Sequence, residues 1–329
     1  MFSPNDAEAL RQSLSPIQFQ ESTPDSALLE QYRAHYGLKL DTVERPVDHR
    51  LGTFSVTGAD DNVFQVVCQY FSLPQARHRG TAFLLHGYFD HVGLYGHLIR
   101  HCLELGLSVV IFDQPGHGLS SGVPASIDSF ARYVSGLDTC LQLADAQQLA
   151  KPWYMIGQST GAAVLMDALQ QQTVPLLYDA RRFILLAPLL RPRHWPVTRL
   201  QFAVLRHFLS STRRVFVDNS HDREFLEFLK NHDALQCQVI PIDWIQAMID
   251  YQRRFYRAPI GRESLHVIQG TDDGTVDWQF NLDQIVAKFP ESRTYMVAGA
   301  RHHLVNESEY YRERIFGLIS EMIFPPGEI

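Results

Sequence analysis

Cysteine is scarce: there are four in 329 residues, Cys68, Cys102, Cys140 and Cys237. They form no CxxC pair and no Cys/His set with zinc spacing, so zinc is not expected. Widely spread thiols read as buried free side chains in a reducing compartment. Long apolar runs are missing too, and nothing approaches the roughly 18–20 residues a membrane-spanning helix needs. The first residues, MFSPNDAEALRQSLSP, carry acids and no apolar stretch, unlike a secretory signal. The expected location is the cytoplasm, with room for peripheral membrane contact. Basic charge is not in excess, with 29 Lys and Arg against 36 Asp and Glu, a net charge of −7. A nucleic-acid partner is therefore not expected, although Arg181-Arg182, Arg191, Arg193 and Arg213-Arg214 cluster in mid-chain. Nothing in the sequence speaks to oligomeric state.

What is present is 45% hydrophobic residues, enough for a large core. Residues 1–25, punctuated by Pro4, Pro16 and Pro24, read as an extended lead-in, and Leu28, Leu29, Tyr32 and Tyr36 mark a short helix. Two β-rich stretches, 51–56 and 63–71, flank the turn segment Gly58-Ala59-Asp60-Asp61-Asn62 and predict an opening hairpin. From residue 81 short apolar runs alternate with helical ones: strands at 81–85, 107–112, 153–156, 183–187, 264–268 and 294–297, helices between them. That alternation predicts an α/β fold with a mostly parallel central sheet and helices on both faces. Residues 188–260 interrupt it. Pro188, Pro192 and Pro196 open this stretch, and helical stripes follow at Leu200, Val204, Leu205, Phe208, Leu209 and at Ile245, Met248, Ile249. The expected organisation is a lead-in with a short helix over 1–48, a core over 49–187 and 261–329, and an inserted helical cap, or lid, over 188–260.

The sharpest local signal is Gly157-Gln158-Ser159-Thr160-Gly161, a G-x-S-x-G between a predicted strand and a predicted helix. That context is a nucleophile elbow, a strained turn that lifts the Ser159 hydroxyl to a helix N-terminus. The oxyanion of such a site is held by the backbone N–H after the nucleophile and by one from the loop after an earlier strand. Here those are Thr160 and Tyr88, the latter following His86-Gly87. His86 itself reads as a structural hydrogen-bonding group. His117, in the glycine-rich stretch Asp113–Gly122, reads as tight packing. That stretch lacks the spacing of a dinucleotide or P-loop site.

A serine nucleophile needs a base, and the base an orienting acid, in chain order Ser, acid, His. The strand at 264–268 runs into a loop with Asp272, Asp273 and Asp277. Asp273 is favoured, then Asp272, then Asp277. The last strand leads to His302 and His303, of which His302 is favoured, with His303 turned to solvent or to the cap.

At these residues the sequence resembles the lysophospholipase and monoacylglycerol lipase branch of the α/β hydrolases. The matching elements are His86-Gly87 with Asp90-His91 and Tyr95, Asp113 with Gly116-His117-Gly118-x-Ser120-x-Gly122, and the elbow. Gly270-x-x-Asp273-x-x-Val276-Asp277 and Gly299-Ala300-x-His302-x-Leu304-x-x-Glu307 complete the set. The resemblance covers roughly residues 45–325. It implies the α/β-hydrolase fold, a Ser159/Asp273/His302 triad and a helical cap. Tyr88-Phe89 departs from the small or acidic residues common in that loop, and such rings would narrow an acyl pocket. The expected activity is cleavage of a carboxylic ester through an acyl-enzyme on Ser159. The expected substrate is a lysophospholipid, a monoacylglycerol or a related single-chain lipid, with Phe89, Trp244 and Met248 lining its pocket. Phe202, Phe208 and Phe255 are further candidates for an acyl tunnel. The alternatives are a peptidase or amidase of the same fold, a short-chain carboxylesterase and a non-catalytic binder. An acidic run at Asp218, Asp222, Glu224 and Glu227 would suit a peptidase's substrate amine.

Overall fold

The computed structural model describes residues 2–21, 23–40, 46–57, 63–73 and 79–325. The turn segment 58–62 lies outside them, as does part of the lead-in. The lead-in that is described is extended only in part, beyond residue 13. Pro4–Ser13 form helix α1, because Ser3 accepts from the Asp6 N–H while Asp6 accepts from Ser3. Pro4 thus sits at the first helical position, where its missing N–H costs nothing. Helix α2, Ala27–His35, follows as expected. Phe2, Leu10, Leu29 and Tyr32 are buried between these helices and the core. Pro16 bridges Thr53, and Ile17 and Phe19 are buried in the main core.

Strands β1 (Asp48–Thr57) and β2 (Val63–Ser72) pair antiparallel. The alternation then runs β3 (Thr81–Leu85), α3 (Gly96–Glu104), β4 (Ser108–Phe112), α4 (Phe130–Ala146), β5 (Trp153–Gln158), α5 (Thr160–Gln171) and β6 (Ala180–Leu186). Residues 188–260 hold α6 (Trp195–Leu205), β7 (Ser211–Arg213), α7 (Arg223–Asn231), β8 (Val239–Pro241) and α8 (Ile242–Arg257). The chain ends with β9 (Leu265–Gly270), α9 (Trp278–Lys288), β10 (Arg293–Val297) and α10 (Glu309–Ile323). Among the described residues, eight strands form one sheet in the order β1-β2-β4-β3-β5-β6-β9-β10. It is parallel from β4 onward. Strands β3, β4 and β5 are buried along their whole length, as strands with helices on both faces must be.

The inserted stretch differs from its expectation in two ways. β7 and β8 pair as a small antiparallel ribbon, too short to show in the apolar pattern. The α6 stripe faces outward: Leu200, Val204 and Phe208 are exposed. α8 does the opposite. Its Ile245, Met248, Tyr251 and Phe255 are buried in the main core. Tyr251 stacks on Phe130 at 4.9 Å, and Arg254 pairs with Asp167 of α5 at 2.7 Å. The four cysteines are free, with Cys68, Cys102 and Cys140 buried and Cys237 half-buried. No described helix is long and apolar enough to cross a membrane.

Candidate active site

β5 ends in a turn only small residues allow. A Cβ on Gly161 would lie 2.1 Å from the Leu85 carbonyl oxygen, and one on Gly157 2.6 Å from the Ala162 nitrogen. Both atoms are backbone and cannot yield, so α5 approaches β5 and β3 closely only because these positions are glycine. Between them Ser159 takes φ 52°, ψ −106°, a strained conformation for a residue with a Cβ. The Ser159 N–H donates to the Leu186 carbonyl at 2.8 Å, and its own carbonyl accepts from Ala163 and Leu189. These bonds tie the strained residue to β6 and α5.

Three residues meet in line. His302 Nε2 lies 3.0 Å from Ser159 Oγ, and His302 Nδ1 lies 2.8 Å from Asp273 Oδ2. Asp273 also accepts from Gln269 Nε2 at 3.0 Å and from the Thr275 and Val276 N–H groups at 2.8 and 3.1 Å. Burial opposes ionisation of this carboxyl, but His302 and the donated hydrogen bonds outweigh it and hold it below the usual carboxylate range. Gln158 Nε2 donates to the His302 carbonyl at 3.0 Å, so the residue before Ser159 also fixes His302. The rival acids are engaged elsewhere: Asp277 with Arg191 at 2.6 Å, and Asp272, largely exposed, with Arg301.

The β3 loop lies against the nucleophile, since a Cβ on Gly87 would sit 3.4 Å from Ser159 Cβ. Neither the Tyr88 nor the Thr160 backbone N–H has a hydrogen-bond partner among the described residues. Two free donors beside a serine hydroxyl can receive an oxyanion. The loop is held by His303, which is buried, not turned to solvent: its Nε2 lies 3.0 Å from Asp90 Oδ1, while its ring packs on Phe225 and its N–H donates to the Asn219 carbonyl, both in the inserted stretch. Asp90 Oδ2 accepts from the Gly87 N–H at 3.1 Å and from Tyr95 Oη at 2.9 Å. Burial raises the Asp90 pKa, but His303 and these bonds outweigh it, and the carboxyl is lowered overall. A second pair, His91 with Asp233 at 3.0 Å, joins the loop to the inserted stretch. The adjacency of Asp90-His91 was visible in the sequence; their partners, more than 140 residues away, were not.

His86 and His117 are structural, as expected. His86 accepts from the Gln114 N–H at 2.8 Å, and burial pushes its pKa down to about 3. His117 contacts the Pro115 carbonyl, in a loop folded around Asp113, which accepts from the Val92 and Leu119 N–H groups.

Ser159 and His302 open onto a cavity of about 620 Å³. Tyr88, Phe89, Leu189, Arg214, Leu226 and Trp244 are among its walls. The Tyr88 ring stacks on Trp244 at 3.8 Å and its hydroxyl donates to the Ala125 carbonyl, so the ring is a fixed wall. Met248 is not a lining residue. It lies one turn beyond Trp244 on the face of α8 that packs into the core. Phe202 and Phe255 are buried away from the cavity, and Phe208 is exposed. Of the acidic run, Asp218 and Glu227 reach the cavity, while Asp222 caps α7 through the Phe225 N–H.

The fold is that of solved lipases. A soluble variant of monoglyceride lipase from Saccharomyces cerevisiae, in complex with a substrate analogue, superposes with a TM-score of 0.67. It is 16% identical and covers 79% of this chain and 92% of that one. In sequence, a monoglyceride lipase homolog from Monkeypox virus is 25% identical over 79% of this chain and 94% of its own length. Phospholipase YtpA of Bacillus subtilis is 24% identical over 71% and 90%. The chain is thus a lipase-like α/β hydrolase. The profile of one family, described as serine aminopeptidase, S33, matches residues 76–309, a span that runs from β3 past His302, and the chain belongs to that family of α/β hydrolases.

Proposed function

We propose that this protein is a serine carboxylic-ester hydrolase acting on a single-chain lipid of the monoacylglycerol or lysophospholipid kind. The observation that carries the reading is the hydrogen-bonded line from Asp273 through His302 to Ser159, opening into a cavity walled by Tyr88, Phe89 and Trp244. His302 Nε2 takes the Ser159 proton as Oγ attacks the ester carbonyl. The tetrahedral oxyanion accepts from the Tyr88 and Thr160 N–H groups, each contributing about 2.7–4 kcal/mol. The intermediate collapses to an acyl-enzyme as His302 protonates the leaving alcohol. Water, deprotonated by His302, then releases the acid and restores Ser159. Asp273 holds the Nδ1–H tautomer throughout. Every step uses groups of this chain, and no cofactor takes part.

Residues 188–260 act as the cap, closing the cavity from above with Trp244, Arg214 and Leu226. The outer face of this cap docks on a lipid surface. Between Pro188 and Val217 the cap has six arginines and no lysine, aspartate or glutamate, of which Arg191 pairs with Asp277 and Arg214 faces the cavity. In the same stretch Leu200 is 71% and Phe208 80% exposed, the apolar-and-basic combination that suits an anionic bilayer. The buried free thiols suit a cytoplasmic location at such a surface. A second reading, hydrolysis at an N-terminal residue, draws on Asp218 and Glu227 at the cavity.

Turnover of acyl esters from acetyl to hexadecanoyl, with matched lysolipids and aminoacyl arylamides, tests this, with Ser159→Ala as blank. Long acyl esters are expected to be preferred. Acetyl esters turned over far faster than dodecanoyl ones, or arylamides faster than both, would overturn the lipid reading. Residual activity above a few per cent in the blank would remove Ser159 from its role.

A further inference from the structure

One wall of the cavity is a cation with no ion-pair partner among the described residues; the carboxylates whose charge reaches it, Asp90 and Asp233, are hydrogen-bonded elsewhere. Arg214 follows β7, and its backbone N–H continues the ribbon by donating to the Gln238 carbonyl. Its guanidinium is clamped between two rings, 3.9 Å from the Phe89 centroid and 4.3 Å from that of Phe216. Nη1 donates to Gln236 Oε1 and to the Cys237 carbonyl. Gln236 is itself held, donating from Nε2 to Asp233 Oδ2 at 2.8 Å and to the Phe89 carbonyl at 2.9 Å. Asp233 is in turn fixed by His91 and by Tyr36 Oη. The planar group is therefore set in place before any ligand arrives. Among the described residues nothing accepts from its Nε–H and Nη2–H, the parallel pair that matches two oxygens of a phosphate or carboxylate.

No carboxylate of the site is available to it. Asp90 is taken up by His303, Gly87 and Tyr95, and Asp233 by His91, Tyr36, Leu235 and Gln236. Asp218 and Glu227 line the cavity but are exposed, and neither forms an ion pair with Arg214, Arg223 or Lys230, its three Arg and Lys lining residues. A half-buried, pre-set arginine fork with no carboxylate in hydrogen-bond reach keeps a desolvation cost that an incoming anion recovers.

We infer that Arg214 is the anion subsite of the substrate cavity, and that the lipid ester cleaved at Ser159 carries a phosphate head group. This rests on the ester-hydrolase reading and narrows it from single-chain lipids in general to acidic ones. A neutral monoacylglycerol would leave the fork empty. The amine of a peptide substrate would meet a like charge.

The test compares 1-lauroylglycerol 3-phosphate with 1-lauroylglycerol, which share the acyl chain and the scissile bond. In Arg214→Gln, kcat/KM for the phosphate-bearing ester is expected to fall at least tenfold further than kcat/KM for the neutral ester. Arg214→Lys keeps the charge but not the fork, and should recover only part of the loss. Equal losses on both esters, or no loss on the acidic one, would overturn the subsite. Binding to Ser159→Ala, read by tryptophan fluorescence, is independent of turnover. Adding Arg214→Gln should weaken the acidic lipid at least tenfold, and unchanged binding refutes the inference even if neither ester is hydrolysed. Were neither ester hydrolysed by wild type while that binding loss appeared, the hydrolase reading would fail and the anion site would stand. Glycerol 3-phosphate alone should bind far more weakly than the lipid. Equal affinity would make the ligand a free phosphate ester and not a lipid head group.

Discussion

Replacing Asp273 by Asn separates an orienting acid from a structural one, because the hydrogen bonds around it dictate how the amide must sit. Oδ1 accepts from two backbone N–H groups, Thr275 and Val276. An amide NH2 placed there would face two donors, so the asparagine oxygen must take the Oδ1 position. The NH2 then takes the place of Oδ2, facing His302 Nδ1 at 2.8 Å, and the Gln269 amide must turn its unpartnered oxygen toward it. To accept that proton, Nδ1 must give up its own, and Nε2 becomes the protonated nitrogen. The 3.0 Å contact to Ser159 Oγ survives, but the imidazole can no longer take the hydroxyl proton. The expected loss in kcat is about ten-thousand-fold, or about 5 kcal/mol of transition-state free energy. KM should move little, since Asp273 lies behind His302. Steady-state hydrolysis of a p-nitrophenyl laurate series measures both constants, and a fluorophosphonate probe measures acylation of Ser159 directly. A loss in kcat of less than tenfold would refute the tautomer argument and, with it, the place of Asp273 in the triad.

His303→Ala removes the partner of Asp90. It should cost about 2 kcal/mol of stability by denaturant titration and lower kcat by ten- to a hundredfold, roughly, with KM unchanged. His303→Gln, which can still donate to Asp90, should recover most of the turnover, and a kcat unaffected by either change would show that Asp90 does not hold the loop. Burial keeps His49 and His86 neutral in the fold, with pKa values pushed down to about 3, and His117 with one pushed down to about 4. Between pH 5.5 and 4.5, roughly, the unfolded chain binds protons on all three and the folded chain does not, so stability falls with pH. The slope expected is about 1.4 kcal/mol per unit for each, and an unfolding free energy flat across that window would contradict the burial argument. Leu200→Asp with Phe208→Asp should abolish sedimentation with anionic vesicles while leaving turnover of a soluble short ester unchanged. Vesicle binding that persists would move the docking face elsewhere.

Much of this site was legible in one dimension because the elbow is local. Gly157, Ser159 and Gly161 work through contacts within a few residues of themselves and with the two neighbouring strands, β3 and β6, so motif and flanking apolar runs were enough. Asp273 and His302 were legible for a different reason: each follows a strand at its C-terminal end, and parallel strands bring such ends to one edge. The lead-in was misread because proline was counted as a breaker at Pro4, where a capping box turns it into a helix start. α6 and α8 have similar apolar stripes, yet one faces solvent and the other the core. Periodicity gives a face to a helix and says nothing about what covers it.

The amino-acid order alone determined the alternation of strands and helices, the elbow at Ser159 and the two loops that bring Asp273 and His302 to it, all consequences of local sterics and strand order. Only the tertiary structure decided that His303 holds Asp90, that Met248 belongs to the core, and that Arg214 stands in the cavity with its fork unoccupied. Those outcomes depend on which segments meet across gaps of 20 to more than 200 positions, and a side chain's partner there is chosen by packing, not by its neighbours in the chain.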